Sequence, residues 1–320
     1  LFIVGITTAI SLGRRAETGA DDRAIWRQIL RRGTLIVGMG LLLTAFPFYP
    51  LSRLVNLRIP GVLQRIGVCY LAAALLSWRR SSRAVAIAAA VLLLGYWALL
   101  VLVPAPGLAV ATIDVPDQTI AAYFDRSLLG GHLWSATRTW DPEGPLSTIP
   151  AIGTVLLGVL AGRWMRRPAP LPDRLNGLFA VGGLAVVGGL MWHWVLPINK
   201  NLWTSSYVLF TAGAAALTLA TASWLVDVQG WKRGMGFFIS YGHNPLVAFL
   251  GSGLLGRLMG SMVKVSVGGE QVALQQAIYR AGLASWLSPR NASFGYAVAF
   301  VILWYVVLRW FERHGWIIKI

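Results

Sequence analysis

Charge is what this sequence has least of. Only 12% of its 320 residues are Asp, Glu, Lys or Arg, and the acids are the scarcer sign, 12 against 28 basic residues. Soluble domains carry about 25% charged residues. With 56% hydrophobic residues, a water-soluble version of this chain would expose large apolar patches and aggregate, so a bilayer is its natural solvent. Cysteine is nearly absent: Cys69 stands alone in an apolar run, which excludes an internal disulfide and argues against a cysteine-held metal. Three chemical signatures are missing too, the Walker phosphate loop, the zinc-binding HExxH and the GxSxG nucleophile elbow, so nothing points to a serine or metal hydrolase.

What the sequence does have is long apolar runs. Eight of them, at roughly 33–51, 59–77, 84–103, 146–164, 177–196, 203–226, 235–258 and 294–311, approach the ~20 residues that a helix needs to cross a bilayer. A ninth, residues 1–12 (LFIVGITTAISL), is apolar from its first position but too short to span, and reads as the second half of a helix. Backbone polar groups in lipid must be satisfied within the segment, so the runs are helices. The expected fold is an all-α, polytopic membrane bundle of about nine hydrophobic segments, the first partial, forming one domain over residues 1–320.

The net charge of +16 invites a nucleic-acid reading, but the basic residues alternate from loop to loop. One set of loops holds Arg14, Arg15, Arg23, Arg27, Arg31, Arg32, Arg79, Arg80, Arg83, Arg163, Arg166, Arg167, Arg174, Lys232, Arg233, Arg309, Arg313 and Lys319, eighteen of the 28. The positive-inside rule makes that side cytoplasmic and puts the C-terminus there, as for a multi-pass protein of a bacterial inner membrane. No nucleic-acid partner is expected; the partner is the lipid bilayer. On the outer side two long loops, 104–145 and 259–293, are expected to carry function, as long loops on rigid scaffolds do. Within the second, QQAIYRAGLASWL reads as a short interfacial helix.

Four polar stretches interrupt the apolar pattern. In RIPGVLQRIGVCYL, Gln64 and Arg65 fall about two turns into a membrane helix, roughly 9 Å below the outer surface. An intramembrane Arg is by default a functional candidate, against a snorkelling or ion-paired alternative. In LPINKNLWTSSYVLF, Asn199, Lys200 and Asn201 form an outer turn beside Trp203, with His193 just upstream. In TWDPEGPLSTIPAIG, Asp141 and Glu143 precede a helix, where carboxylates also suit the helix dipole. In SYGHNPLVAFL, His243 and Asn244 sit near mid-membrane, where helix–helix hydrogen bonding is the competing explanation. The outward-lying bases Arg53, Arg58, Arg65, Lys200 and Arg257 run against the positive-inside trend and suit an anionic partner.

Six pieces in order, LFIVG, LRIPGVLQRIGVCYL, AAYFDRSLLGGHLW, DPEGPLSTIPAIGTVLLGVLAG, PINKNLWTSSYVLFTAG and YGHNPLV, resemble the heparan-alpha-glucosaminide N-acetyltransferase family. The resemblance implies an acyltransferase that takes acetyl from cytosolic acetyl-CoA, its co-substrate, and delivers it across the membrane to an amino sugar or other envelope glycan. It implies no metal, and it leaves a homodimer open. The family's presumed catalytic His belongs to a loop before the LFIVG helix, so it is expected upstream of Leu1, and His132, His193, His243 and His314 do not match it. By matching motifs, Gln64, Arg65, Asn199, Lys200, Asn201 and Asn244 are expected to line the acetyl-CoA and acceptor tunnel. Asp125, Arg126 and His132, with Asp141 and Glu143, are the outer-loop candidates. A transporter or flippase for an anionic solute is the competing reading.

Overall fold

The computed structural model describes residues 1–19 and 21–318, without the side chain of Arg53. That side chain and Lys319, both counted among the patterned charges, therefore lie outside the described residues. The chain forms two compact units, Leu1–Trp231 and Lys232–Ile320.

In the first unit, α1 (Phe2–Glu17) and α2 (Asp22–Ala45) are followed by α3 (Val62–Ser77) and α4 (Ser82–Leu102). The loop after α4 carries the short α5 (Ile120–Leu129), and α6 (Pro145–Met165), α7 (Leu171–His193) and α8 (Ser205–Ser223) complete the unit. Helix α6 is its axis: 67% of its membrane-length window is buried, against 28% for α4 and 22% for α7. Around it Cys69, Ala73, Val85, Ala89, Ala151, Val155, Leu156 and Val159 form a core of mostly small side chains. Small residues let membrane helices approach closely. A Cβ on Gly5 of α1 would meet the Val155 carbonyl of α6 at 2.0 Å, and one on Gly158 would meet the Phe2 carbonyl at 2.0 Å. The outward faces are apolar, with Val181, Leu184, Val187 and Met191 of α7 and Ile87, Val91 and Leu94 of α4 more than half exposed. Such a surface fits lipid and no aqueous solvent.

The second unit holds α9 (Met235–His243), α10 (Pro245–Arg257), α11 (Leu274–Tyr279) and α12 (Pro289–Arg313). Between α10 and α11 lies a β-hairpin, β1 (Lys264–Val267) antiparallel to β2 (Glu270–Ala273), closed by Gly268 and Gly269 at φ +63° and +90°. Paired positive φ angles are what a two-residue hairpin turn requires, and glycine supplies them without strain.

The all-α membrane architecture expected from the sequence is present, but the span count is not nine. Among the described residues six helices are long and apolar enough to cross a bilayer: α4, α6, α7, Ser205–Val228, Pro245–Met262 and α12. Helix α3 is apolar but spans only 16 residues. Helix α2 begins at Asp22 rather than near residue 33, so Arg23, Arg27, Arg31 and Arg32 ride on its first turns and dilute its hydropathy. The run 235–258 is two helices, because Asn244 leaves helical geometry at φ −130° and Pro245, lacking an N–H, starts afresh. The stretch QQAIYRAGLASWL is helical over much of its length, as α11 and the wider turn Arg280–Ala284.

Candidate functional site

Two ends of the first unit differ in chemistry. At one, Arg163, Arg166, Arg79 and Arg80 gather where α1, α3 and α6 end and α4 begins. At the other, the starts of α3, α6 and α8 meet the 103–144 loop, and Asp125, Asp141 and Glu143 collect there. Most of the polar residues singled out in the sequence lie at this acidic end.

Arg58, just before α3, donates Nε to Asp141 Oδ2 at 2.8 Å and Nη2 to Asp141 Oδ1 at 2.6 Å, and also reaches Glu143 Oε2. This forked geometry is the strong form of an arginine–carboxylate pair. The Asp141 side chain is fully buried, so its oxygens need every donor they find, and the backbone N–H groups of Trp134 and Glu143 add two more at 3.0 and 2.9 Å. Burial opposes the charge of Arg58, but the hydrogen bonds and charges of Asp141 and Glu143 outweigh it and hold the guanidinium above its ordinary pKa. The pair clamps the long loop onto α3. Two other candidates do related work: His132 Nδ1 contacts the Leu57 carbonyl at 2.8 Å, and Arg126 donates to the carbonyls of Asp117 and Thr139.

Asp125 comes from α5 and is 2% exposed. Its Oδ2 accepts from the Asp141 N–H at 2.9 Å, while Oδ1 is buried with no partner. A Cβ on Gly144 would strike that Oδ1 at 2.1 Å, so glycine is required beside it. Burial raises its pKa first, the Asp141 N–H lowers it, the Asp141 charge raises it, and the balance pushes Asp125 up to about 6. It therefore exchanges a proton near neutrality. Among the described residues no group of three His, Cys, Asp or Glu is placed to hold a metal ion. Asp125, Asp141, Ser147, Asn199 and Asn201 share a cavity of about 60 Å³, room for a water or two rather than for a large ligand.

Arg65 sits one turn into α3 and is 4% exposed. Its Nη2 donates to Ser147 Oγ and, at 3.4 Å, to the Gly144 carbonyl. The guanidinium carbon lies 4.9 Å from the centroid of the Trp203 ring. Nε and Nη1 are buried and donate to nothing. Trp203 itself is held at φ +52°, with its indole N–H donating to Thr154 Oγ1 at 3.1 Å. A non-glycine residue in the left-handed region costs about 1–2 kcal/mol, and such a cost points to function more often than to accident. A buried guanidinium with two idle donors and no carboxylate hydrogen-bonded to it is a group prepared to meet an oxygen.

The remaining candidates are placed differently. Asn199 uses its side-chain oxygen within the turn, accepting from the N–H groups of Asn201 and Leu202 at 2.8 and 3.3 Å. Lys200 and Asn201 are exposed. Gln64 points to α2, reaching Thr44 Oγ1 at 3.4 Å over Gly40. His193 accepts the Ile198 N–H at its Nδ1, at 2.9 Å. Asn244 belongs to the second unit, where it donates to the Trp316 carbonyl and accepts from the Ile318 N–H at 3.0 and 2.8 Å. Sequence reasoning passed over Ser147, Gly144 and Trp203 as partners of Arg65. Trp203 carried no signal, since its positive φ is invisible in sequence, but Gly144-Pro145 at a helix start with Ser147 one turn on was a legible one.

The resemblance read from the motifs holds up in comparisons with known proteins. Residues 1–126 match the family model described as heparan-alpha-glucosaminide N-acetyltransferase, catalytic. The chain is 28% identical over 302 residues to the heparan-alpha-glucosaminide N-acetyltransferase of Homo sapiens, an alignment covering 78% of this chain and 45% of that protein. Against the Mus musculus protein of the same name the identity is 28% over 306 residues, covering 80% of this chain and 46% of the relative. The chain thus spans less than half the length of these two relatives.

Proposed function

From that kinship we propose that this chain forms the membrane-embedded body of an acetyltransferase. It works across a bacterial inner membrane, basic end and C-terminus in the cytoplasm. The donor is acetyl-CoA and the acceptor an amino sugar of the cell envelope. One observation carries the reading: Arg65, buried in a membrane helix with two unused N–H donors, stands beside a carboxylate that titrates near neutrality. Acyl transfer to an amine needs those two groups. The amine nitrogen attacks the acetyl carbonyl carbon and the bond to the acetyl carrier breaks. The carbonyl oxygen gathers negative charge on the way, and the nitrogen must shed a proton.

In this reading the idle Nε and Nη1 of Arg65 stabilise that oxygen, as preorganised donors do best where water is excluded. Asp125 takes the amine proton, its raised pKa placing it close to working pH. Arg58, Asp141 and Glu143 hold the outer loop over the cavity. Asn199, Asn201 and Lys200 stand at the acceptor mouth, with Gln64 behind Arg65. The test belongs to the full-length protein. In proteoliposomes, radiolabelled acetyl-CoA on the basic side should yield N-acetylated glucosamine on the other. Arg65→Ala should lower kcat about 10²- to 10³-fold, the effect of deleting an oxyanion donor. Unchanged transfer in Arg65→Ala would end the assignment.

The interrupted helix at Asn244 favours the transporter reading, since broken helices line substrate paths in transporters. Its amide is consumed within the second unit, however, by Trp316 and Ile318. The amide at the break is thus already engaged, whereas the idle donors belong to Arg65, and the acyltransferase reading is the one we keep.

A further inference from the structure

An apolar groove of about 240 Å³ lies between three helices of the first unit. It is lined by Leu157, Leu160 and Trp164 of α6, Val181 of α7, and Leu209 and Ala212 of α8. Among the described residues no charged or hydroxyl-bearing side chain lines it. Val181 is 61% exposed and forms its lip, so the groove opens on the apolar outer surface. An apolar cavity of about 150 Å³ already holds a benzene-sized ligand, and this one is longer. Along α7 it runs from Gly177 to Ala185, a rise of about 12 Å. That is close to the depth of one leaflet, half of a ~30 Å hydrocarbon core.

The indole of Trp164 closes the groove at the basic end. It lies against α7, where a Cβ on Gly177 would strike its ring at 2.1 Å, and its N–H donates to the Arg174 carbonyl at 2.8 Å. The Arg167 guanidinium carbon stands 4.0 Å from the centroid of that ring. Arg174 precedes Gly177 and Leu178 by one turn, on the face of α7 that carries Val181. Its Nη1 donates to the Met165 carbonyl, while its Nε is buried and donates to nothing. Neither guanidinium pairs with a carboxylate among the described residues. The groove thus ends in two positioned charges that no acid cancels. The positive-inside rule accounts for arginines at this end, but not for their attachment to the ring that closes an apolar groove.

We propose that the groove binds one anionic phospholipid from the leaflet at the basic end. One acyl chain lies between α6, α7 and α8, and the phosphate meets Arg167 and Arg174. Arginine suits the task because its planar fork matches phosphate oxygens. Basic pockets between membrane helices are where anionic headgroups settle. A zwitterionic lipid of the same chains fills the groove equally well but brings no net charge to the two arginines. The groove therefore selects the chain and the arginines select the headgroup. The proposal does not depend on the acyltransferase reading, since neither Arg65 nor Asp125 takes part in it.

The experiment titrates the full-length protein in detergent with phosphatidylglycerol, or with phosphatidylcholine of the same chains, and counts retained lipid by native mass spectrometry. The wild type should retain one phosphatidylglycerol at a concentration about tenfold below that needed for phosphatidylcholine. Arg167 is exposed and its side chain only stacks on Trp164, so Arg167→Glu keeps the fold. It should weaken phosphatidylglycerol about tenfold and leave phosphatidylcholine unchanged. Val181→Trp fills the groove from its exposed lip and should weaken both lipids. Equal affinity of the wild type for the two lipids overturns the proposal before any variant is made, as does a wild type that retains neither. Phosphatidylglycerol binding that survives both substitutions overturns it too. So does binding lost in Arg167→Glu but untouched in Val181→Trp, which makes Arg167 a surface phosphate contact with no chain in the groove.

Discussion

Arg65, Asp125 and Arg58 lie within one polar cluster, yet their surroundings give them different work. Arg58 is balanced by two carboxylates, so its removal leaves Asp141 charged, buried and unpaired. Breaking one side of a buried pair costs about 3–5 kcal/mol. Arg58→Ala should therefore lower the melting temperature sharply in detergent, and thermal unfolding followed by circular dichroism would show it. Arg65 is balanced by nothing hydrogen-bonded to it except Ser147 and a carbonyl. Arg65→Lys keeps a charge but not the fork, so it should fail to restore the activity lost in Arg65→Ala. For Asp125 the sign follows from the raised pKa. The native state holds the proton more tightly than the unfolded chain between the ordinary value of 3.8 and about 6. Stability therefore falls as pH rises through that window and is level above it. Asp125→Asn should flatten this dependence in melting curves taken from pH 4 to 7, while an acetyl transfer rate that rises through pH 6 in the wild type should lose that rise.

Between helices, contact depends on what is missing from side chains. Gly5 and Gly158 bring the backbones of α1 and α6 together, with no room for a Cβ on either. Gly158→Leu should destabilise the protein severely or prevent its recovery from membranes. Gly95→Ala is the matched control on α4, since a Cβ there meets nothing within 4 Å, and it should be neutral or slightly stabilising. The apolar runs made the helices legible, because a bilayer leaves the backbone little choice. Their ends were less legible. Arg23 to Arg32 looked like a loop because they are charged, although an amphipathic start is open to any helix that emerges from lipid. Asn244-Pro245 marked a break that the surrounding apolar run concealed. The hairpin at 264–273 was signalled by Gly268-Gly269 between KVSV and EQVA, and was missed inside a stretch read as an irregular loop. The polar stretches did flag the region of the site. They could not say that Asn199 spends its amide on its own turn, because that depends on the path of the backbone around Trp203.

Across the whole molecule, the bilayer sorts charge. In the first unit Asp125, Asp141 and Glu143 outnumber Arg58 at one end, while the other end carries arginines beyond those that Glu17 and Asp22 pair with, and the positive-inside rule predicts that second end to be cytoplasmic. Cys69, the one cysteine in these 320 residues, is 0% exposed, so this part of the protein is a silent background for thiol labelling. In intact cells an impermeant maleimide should label Lys200→Cys and leave Arg80→Cys untouched until the membrane is opened. Labelling in the reverse order would invert the topology and with it the direction of transfer. The pairing of Arg65 with Ser147 also has a consequence for how the protein is made. The two residues are 82 positions apart, and at ~5–20 residues per second the ribosome needs on the order of 4–16 s to supply the second. For that interval helix α3 carries an arginine that its neighbours cannot yet satisfy, a burden below the roughly 2.5–3.5 kcal/mol of a charge at the bilayer centre, since Arg65 lies nearer the outer surface. The nascent segment has reason to linger at the insertion machinery until α6 arrives, so truncation between residues 77 and 145 should leave a chain that is released late and degraded early.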